Sequence, residues 1–484
     1  MNNCIPFMVL VTLFSAVLAG AQVVPPPGHD RDWDQGYGAG FGDAITAAAR
    51  LGPPAWPADV TYKPDATYHI APTGSDKLSD GSVARPFATI GRALQQIHND
   101  RAGASPPKLA EISYRADGTY LQNQIITENG LLIDSYGATN LEQRPKINSD
   151  YTPFLWLKAS DVHLQNLRLA GTVAANTNPE GSFGIYCNGG DNITLDYCEI
   201  DGFQMNIVLI SGATHVRLYH NFIANSWTPK AQTMSCSGLY TECVSPDVQC
   251  NIFYHNGWRA PFDVKNAAMV QAMMFRHGWY ENPGSNAVGG TDKFNLYLRN
   301  ACTGHQCRAG GSDTEWCVFW DNGNACDLLT TGGESNTLGG QVGHCAFFGN
   351  LTRDFVSNGG GVLGQSAADD FHDLLFAGGA QSMQLPPAIM IGWKNAAPAT
   401  ITATFTYCRG IWPTTDVMLL SGRTAMQTGV AIRKPNATEH VPTLLDFLGT
   451  KDDVSTAALL RKNLHNPKFS AQTVVGWLTR SLPN

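Results

Sequence analysis

The sequence predicts an all-β solenoid of stacked parallel coils, closed at its N-terminal end by one helix and followed by short C-terminal helices. Three observations carry this. From about residue 110 to 350, short alternating apolar runs recur at gaps of roughly 17 to 32 residues, with one double gap, in or near the range of solenoid repeats. Asn or Cys recurs in those runs, at a place where a stacked side chain can pair with the next coil. Charged residues make up only 15% of the chain, below the usual ~25%, while Gly reaches 49. A β-sandwich with long loops is the competing architecture.

Taken in order, the first segment is residues 1–21. The apolar run from Pro6 to Gly20 and the small residues Leu18-Ala19-Gly20-Ala21 read as a secretory signal. They are too short for a membrane span of ~20 residues. No later segment is long and apolar enough to cross a bilayer, so the protein is expected to be secreted or periplasmic. Residues 22–66 are rich in Pro, Gly and Asp and read as a leader or linker.

The folded unit is expected over residues 67–440. In its first part Ile90, Ala93, Leu94 and Ile97 recur at helical spacing behind Thr89, a natural N-cap. Such a helix covers the apolar interior and strand edges that an end coil otherwise exposes. The runs that follow include Val162–Leu169, Asn192–Ile200, His215–Ile223, Gln249–Tyr254, Phe294–Asn300, Trp316–Trp320 and His344–Phe348. They align on Asn166, Cys198, Asn221, Asn251, Asn300, Cys317 and Cys345. Residues 441–484 form a helical tail, with Leu444, Leu445, Phe447 and Leu448, then Ala457, Leu459 and Leu460, and a last helix around Val475 and Trp477. This tail is expected to pack along the solenoid or to cap its far end.

A net charge of −8 argues against nucleic acid or an anionic membrane as partner. It leaves room for an acidic polysaccharide held in a locally basic groove, and the protein is expected to be a monomer. Of 12 cysteines, Cys4 would leave with the signal. Cys236 with Cys243 and Cys302 with Cys307 are near enough in sequence to form local staples. No spacing matches a Cys/His zinc signature, so no metal site is expected. The sequons at Asn192, Asn350 and Asn436 matter only in a glycosylating host.

The opening Ala71-Pro72-Thr73-Gly74-Ser75-Asp76, Asp80-Gly81 and Arg85-Pro86-Phe87-Ala88-Thr89-Ile90 resembles the start of secreted right-handed parallel β-helix proteins. That superfamily includes pectate lyases, alginate lyases and mannuronan epimerases. The later Tyr254-His255-Asn256-Gly257-Trp258, His277-Gly278-Trp279-Tyr280 and Gly304-His305-Gln306-Cys307-Arg308 are similar to a bacterial branch of it. The likeness spans about residues 68 to 350 and implies a right-handed β-helix acting on a polysaccharide. The chain departs from the family's calcium-dependent pectate lyases, because Asp247, Asp263 and Asp292 are scattered rather than clustered. It departs from polygalacturonases too, since Gly304-His305-Gln306 lacks the final Gly and Asp369-Asp370 follows it. No cofactor is required by these residues, with calcium left open.

On a solenoid, neighbouring coils set side chains side by side on one face, so His277, Tyr280, His305 and Arg308 are expected to meet in a groove as the catalytic group. A lyase acting on uronate must remove a weakly acidic proton beside a carboxylate whose charge is offset. A base and an acid each contribute ~10²–10⁴ in rate. His277 with Tyr280 fits base and acid, and His305 is the second candidate base. Arg308 and Gln306 fit the carboxylate clamp, since a guanidinium matches it bidentately. His255, Trp258, Arg276 and Lys265 are expected to bind substrate, with Lys230, Lys265 and Lys293 as reserve bases. The alternatives are a hydrolase using a pair among Glu315, Asp321 and Glu334, a uronate C5-epimerase, and a non-catalytic carbohydrate-binding surface protein.

Overall fold

A computed structural model describes residues 62–482, apart from 150–154, 172–181, 211, 228–235, 243, 258–275, 283–289, 302, 308–312, 323, 330–340, 350–352, 359–367, 379–388, 392–401, 413–417 and 421–423. The expected signal segment, most of the leader, Lys230, Trp258, Asp263, Lys265, Arg308 and Glu334 lie outside the described residues. One coil shows the plan. Strand Asp191–Asp196 lies in the first sheet, Glu199–Asp201 in the second and Met205–Ile210 in the third. The chain then returns as Thr214–Tyr219, parallel to Asp191–Asp196. Repetition builds three parallel sheets of 13, 12 and 11 strands. Parallel strands joined by crossovers wind right-handed in about 98% of cases. The molecule is a right-handed parallel β-helix, as the sequence predicts.

The alternation in each run becomes an inner column per sheet. Leu164, Leu195, Leu218 and Val248 stack in the 13-stranded sheet. Leu169, Ile200, Ile223 and Phe253 do so in the 12-stranded sheet. Ile185, Ile207, Leu239 and Trp279 do so in the 11-stranded sheet. Further along, the second column turns aromatic. Phe253, Tyr297, Phe319, Phe347 and Phe376 stack with ring centroids 4.9, 4.9, 5.2 and 5.0 Å apart. That spacing matches the ~4.8 Å between coils, so the backbone repeat itself sets the ring contacts.

Two ladders of asparagine pin the corners. At the first, Asn221 Nδ2 donates to Asn251 Oδ1 (2.9 Å) and Asn251 Nδ2 to Asn295 Oδ1 (3.1 Å). Cys198, Cys317 and Cys345 occupy the same corner, where the Cys198 backbone N–H donates to Asn221 and that of Cys317 to the Cys345 sulfur. At the second corner, Asn256 donates to Asn300 and Asn300 to Asn322, each at 2.9 Å. Asn300 therefore belongs to the second ladder, and Asn295 takes the place expected for it in the first. Asn166 is also displaced, because it sits at φ 55 in the left-handed turn position before Leu167. A non-glycine turn residue precedes most first-ladder positions: Tyr197, His220, Cys250, Phe294, Trp316, His344 and Asp373 have φ between 50° and 61°.

The N-terminal helix α1, Ile90–Arg101, forms behind Thr89, whose side chain accepts from the Arg92 N–H. It buries Ile90, Ala93, Leu94 and Ile97, the apolar face the spacing predicts. The tail forms α2 (Leu444–Leu448), α3 (Asp453–Lys462) and α4 (Ala471–Ser481). It packs along the 12-stranded sheet, with Leu460, Val474, Val475 and Leu478 against Ile252, Leu296, Val318 and Ala346. Buried Glu199 helps dock it, with Arg144, Arg168 and Arg461 nitrogens at 3.1, 3.2 and 3.3 Å. Cys243 and Cys302, halves of the two expected staples, lie outside the described residues. No described helix is long and apolar enough to cross a membrane.

Candidate functional site

Three of the four expected catalytic residues, His277, Tyr280 and His305, fall on two strands of the 11-stranded sheet, Arg276–Asn282 and Thr303–Cys307, while Arg308 lies outside the described residues. Alternation sends their side chains to opposite faces. Trp279 is in register with His305 on the inner column, and Tyr280 with Gln306 on the outer one. His305 is fully enclosed. Its ring stacks on Trp279 at 4.2 Å, its Nδ1 lies 2.7 Å from Asp292 Oδ2, and its Nε2 lies 3.4 Å from Glu281 Oε2. Burial pulls the His305 pKa down, but the two carboxylates outweigh it and push it up to about 9. His305 is a charged core residue. The expectation that it joins His277 and Tyr280 in an open groove is corrected by its inward register.

Asp292 is the hub of this interior cluster. Besides His305 it accepts hydrogen bonds from Tyr297 Oη at 2.9 Å and Asn295 Nδ2 at 2.6 Å. Glu281 Oε1 accepts from the Gly290 N–H at 2.8 Å. A hydrogen-bonded, enclosed carboxylate–imidazolium set of this kind holds neighbouring coils together and offers no surface to a polymer.

Arg276 is likewise structural. It is fully buried, its guanidinium lies 4.4 Å over the Trp227 ring, and its Nη1 donates to the Gly257 carbonyl at 3.0 Å. Gly257, at φ 80, is needed there, since a Cβ would come within 2.5 Å of the Arg276 side chain. Arg276 is thus not the exposed substrate contact the sequence suggests. His255 occupies a turn at φ 55, with Nδ1 3.0 Å from Asn225 Oδ1. Lys293 is held between Asp313 (2.9 Å) and Glu315 (3.2 Å). Against the effect of burial, those partners raise its pKa, the opposite of what a basic lysine needs. Asp321 pairs with Arg299 at 3.2 Å, so the hydrolase candidates Glu315 and Asp321 are both committed to cations.

On the outer face of the 11-stranded sheet a different array forms. Successive coils place Trp156, Tyr186, Val208, Tyr240, Tyr280 and Gln306 in one column. At ~4.8 Å per coil it extends about 24 Å. Phe183 stacks on Tyr186 at 5.4 Å and His277 on Tyr280 at 4.9 Å, while Tyr240 lies 5.7 Å from Tyr280. Asn282 Nδ2 donates to the Tyr240 hydroxyl at 3.0 Å, and that hydroxyl donates to Glu242 at 3.3 Å. Burial, with Glu242 beside it, pushes the Tyr240 pKa up to about 12, so the phenol stays protonated. The exposed Lys158 places its ammonium 4.1 Å over the Trp156 ring. Glu242 is the carboxylate on this face among the described side chains, and Asp327 continues the backbone register beyond Gln306. The structure thus brings His277, Tyr280 and Gln306 together, with Tyr280 and Gln306 half-buried and His277 only 1% exposed beneath the Tyr280 ring. Tyr186 and Tyr240, which sequence reasoning missed, share their strand register and could have been found by aligning Tyr186-Cys187 with Tyr240-Thr241 and Tyr280-Glu281.

No family model matches the chain, and no curated protein matches it. Several solved structures are similar to it. Pectate lyase Pel9A is 13% identical, with 82% of this chain and 87% of that one covered and a TM-score of 0.43. A PL6 alginate lyase in complex with a trisaccharide is 11% identical, covering 77% and 90%, with a TM-score of 0.42. The polygalacturonase from Erwinia carotovora ssp. carotovora is 9% identical, covering 77% and 98%, with a TM-score of 0.43.

Proposed function

We propose that the chain is an exported polysaccharide lyase that lays an extended acidic glycan along the outer column of the 11-stranded sheet and cleaves it by β-elimination. The observation that carries this reading is a column with two aromatic pairs on coils ~4.8 Å apart, Trp156 with Tyr186 and Tyr240 with Tyr280, separated by the coil of Val208. Aromatic faces stack on the apolar faces of sugar rings, and a linear array suits a linear polymer. Lys158 beside Trp156 supplies a cation for a uronate carboxylate. The partner is therefore an acidic polysaccharide.

In the reaction, His277 takes the proton from the carbon beside the uronate carboxylate. The freed electron pair forms the ring double bond, the bond to the glycosidic oxygen breaks, and Tyr280 protonates that oxygen as it leaves. Gln306 donates to the carboxylate, where negative charge builds in the transition state. The phenol of Tyr240, held protonated, offers its ring to the neighbouring sugar while its hydroxyl stays bonded to Glu242 and Asn282. The commitment of Glu315 and Asp321 to cations removes support from the hydrolase alternative.

The experiment is a panel of uronate polysaccharides, read by the ultraviolet absorbance of the unsaturated uronate and, separately, by new reducing ends. A rise in both that vanishes in His277→Ala is the expected result. New reducing ends without absorbance would overturn the lyase in favour of a hydrolase. Silence in both, with binding retained, would leave a carbohydrate-binding protein.

A further inference from the structure

Outside the site just described, the 13-stranded sheet carries a second cluster at its first corner. His344 occupies a left-handed turn at φ 53, and Asp373 occupies the same place one coil later at φ 55. His372 is the last residue of strand Ala368–His372 and pairs in register with Gly343. The absence of a side chain at Gly343 is what admits it, since a Cβ there would lie 2.2 Å from His372 Cε1. The ring of His372 thereby reaches His344, with centroids 5.0 Å apart and planes at 82°. Trp316 stacks on His344 at 4.5 Å and fixes that ring.

Two imidazoles converge on one carboxylate oxygen. His372 Nδ1 is 3.1 Å and His344 Nδ1 3.6 Å from Asp373 Oδ2. One ligand atom from each of the three residues lies within 4.8 Å of the others. A tetrahedral ion with bonds of about 2.0–2.1 Å to nitrogen and oxygen sets ligand–ligand edges of about 3.4 Å, between the two observed distances. The other oxygen, Asp373 Oδ1, is buried without a hydrogen-bond partner, on a side chain only 9% exposed. A buried carboxylate oxygen left unpaired is costly, and an ion removes that cost. Other corners pair one histidine with one side chain, as in His220 with Asp196 and His255 with Asn225, each at 3.0 Å. Only here, among the described residues, do two histidines share a carboxylate with ligand geometry.

We propose that His344, His372 and Asp373 bind one divalent transition-metal ion of the zinc class. Two imidazoles and one carboxylate suit zinc, cobalt or nickel, whereas calcium takes six to eight oxygens. The histidine side chains are 26% and 19% exposed, which gives the ion a path in and a position for water. Asp370 and Glu315 lie close enough to add negative charge around it, and Arg409, which interacts with Asp373, adds one positive charge. The ion joins two successive coils. Zinc spacing in the sequence does not reveal the site, because the ligands lie a full coil apart and meet only through the winding.

The test uses untagged, metal-stripped full chain, titrated calorimetrically with zinc, and with cobalt read by its visible absorption. One equivalent binds, raises the melting temperature and gives the absorption of low-coordinate cobalt with nitrogen and oxygen ligands. His372→Gln and Asp373→Asn weaken binding by about 100-fold or more, at or above the loss when a residue merely orients a ligand. His215→Gln, at an exposed histidine beside Asp191, leaves it unchanged. The assignment is overturned by no binding to the wild type, by undiminished binding in both variants with circular dichroism matching the wild type, or by a thiolate-to-cobalt charge-transfer band.

Discussion

The two faces of the 11-stranded sheet are built from neighbouring residues and have opposite natures. Trp279 and His305 face inward in an enclosed, charged stack, and Tyr280 and Gln306, each one residue further on, face outward, with the buried His277 ring stacked on Tyr280. The inner set is tied to Asp292 and Glu281 and holds coils together. The outer set is part of a platform about 24 Å long. Residue type alone does not separate these roles, since each face has a histidine beside an aromatic ring. What separates them is which side of the strand the register assigns.

The largest effect expected is on the outer face. His277→Gln, which keeps most of the volume of a side chain only 1% exposed, lowers the elimination rate by ~10²–10⁴-fold, with the melting temperature close to that of the wild type. A large fall in both would make His277 a packing residue and erase the contrast between the faces. The inner face shows the reverse. Asp292→Ala strips His305 of its 2.7 Å partner and unpairs Tyr297 and Asn295, so it destabilises the fold by ~3–5 kcal/mol. Urea unfolding measures it. A loss of activity at unchanged stability would mean that the interior cluster takes part in chemistry.

The pH dependence of stability sharpens the same contrast. His305 has its pKa raised to about 9 in the folded state, against an unfolded value of ~6.5. Its protonated form is therefore bound more tightly when folded. The stabilisation is fully present below about pH 6.5 and is lost as pH rises through about 9, at an expected size of ~3 kcal/mol. Unfolding curves between neutral and alkaline pH show this decline in the wild type and not in His305→Gln. Equal declines in both would assign the pH response to other groups.

Much of the fold is legible in the sequence because its signals are local. The cap of α1 needs only Thr89 and an apolar face at helical spacing, and both are read directly. The ladder positions Cys198, Asn221, Asn251, Cys317 and Cys345 are legible because each lies at a fixed place in a short alternating run. Asn300 is misplaced because Asn295 and Asn300 flank the same strand, Leu296–Leu298, and either one fits a corner. The site is harder to read for the same reason on a smaller scale. Strands of three to seven residues give too few alternations to fix their phase, and a one-residue slip exchanges inside for outside. His305 falls on the wrong side of that uncertainty. The His344, His372 and Asp373 cluster depends on the residues just before the ladder position, His344 and Asp373, and on the strand end His372 opposite Gly343, columns that become visible only once the ladder itself is aligned.

The smallest effect concerns Tyr240, which separates ring stacking from hydroxyl chemistry on the outer column. Its ring is 5.7 Å from that of Tyr280, and its hydroxyl accepts from Asn282 and donates to Glu242. Removing the ring in Tyr240→Ala takes one platform position from the glycan and weakens binding by ~1 kcal/mol, about fivefold. Tyr240→Phe keeps the stack and loses only the hydroxyl, so its affinity stays near that of the wild type while turnover falls modestly. Glycan affinity measured by calorimetry for both variants distinguishes the roles. If Phe loses as much affinity as Ala, the hydroxyl with Asn282 and Glu242 is the binding element, and the outer column is a polar rather than an aromatic surface. If neither loses affinity, the polymer lies elsewhere on the solenoid, and the outer face of this sheet is no more a functional surface than its inner one.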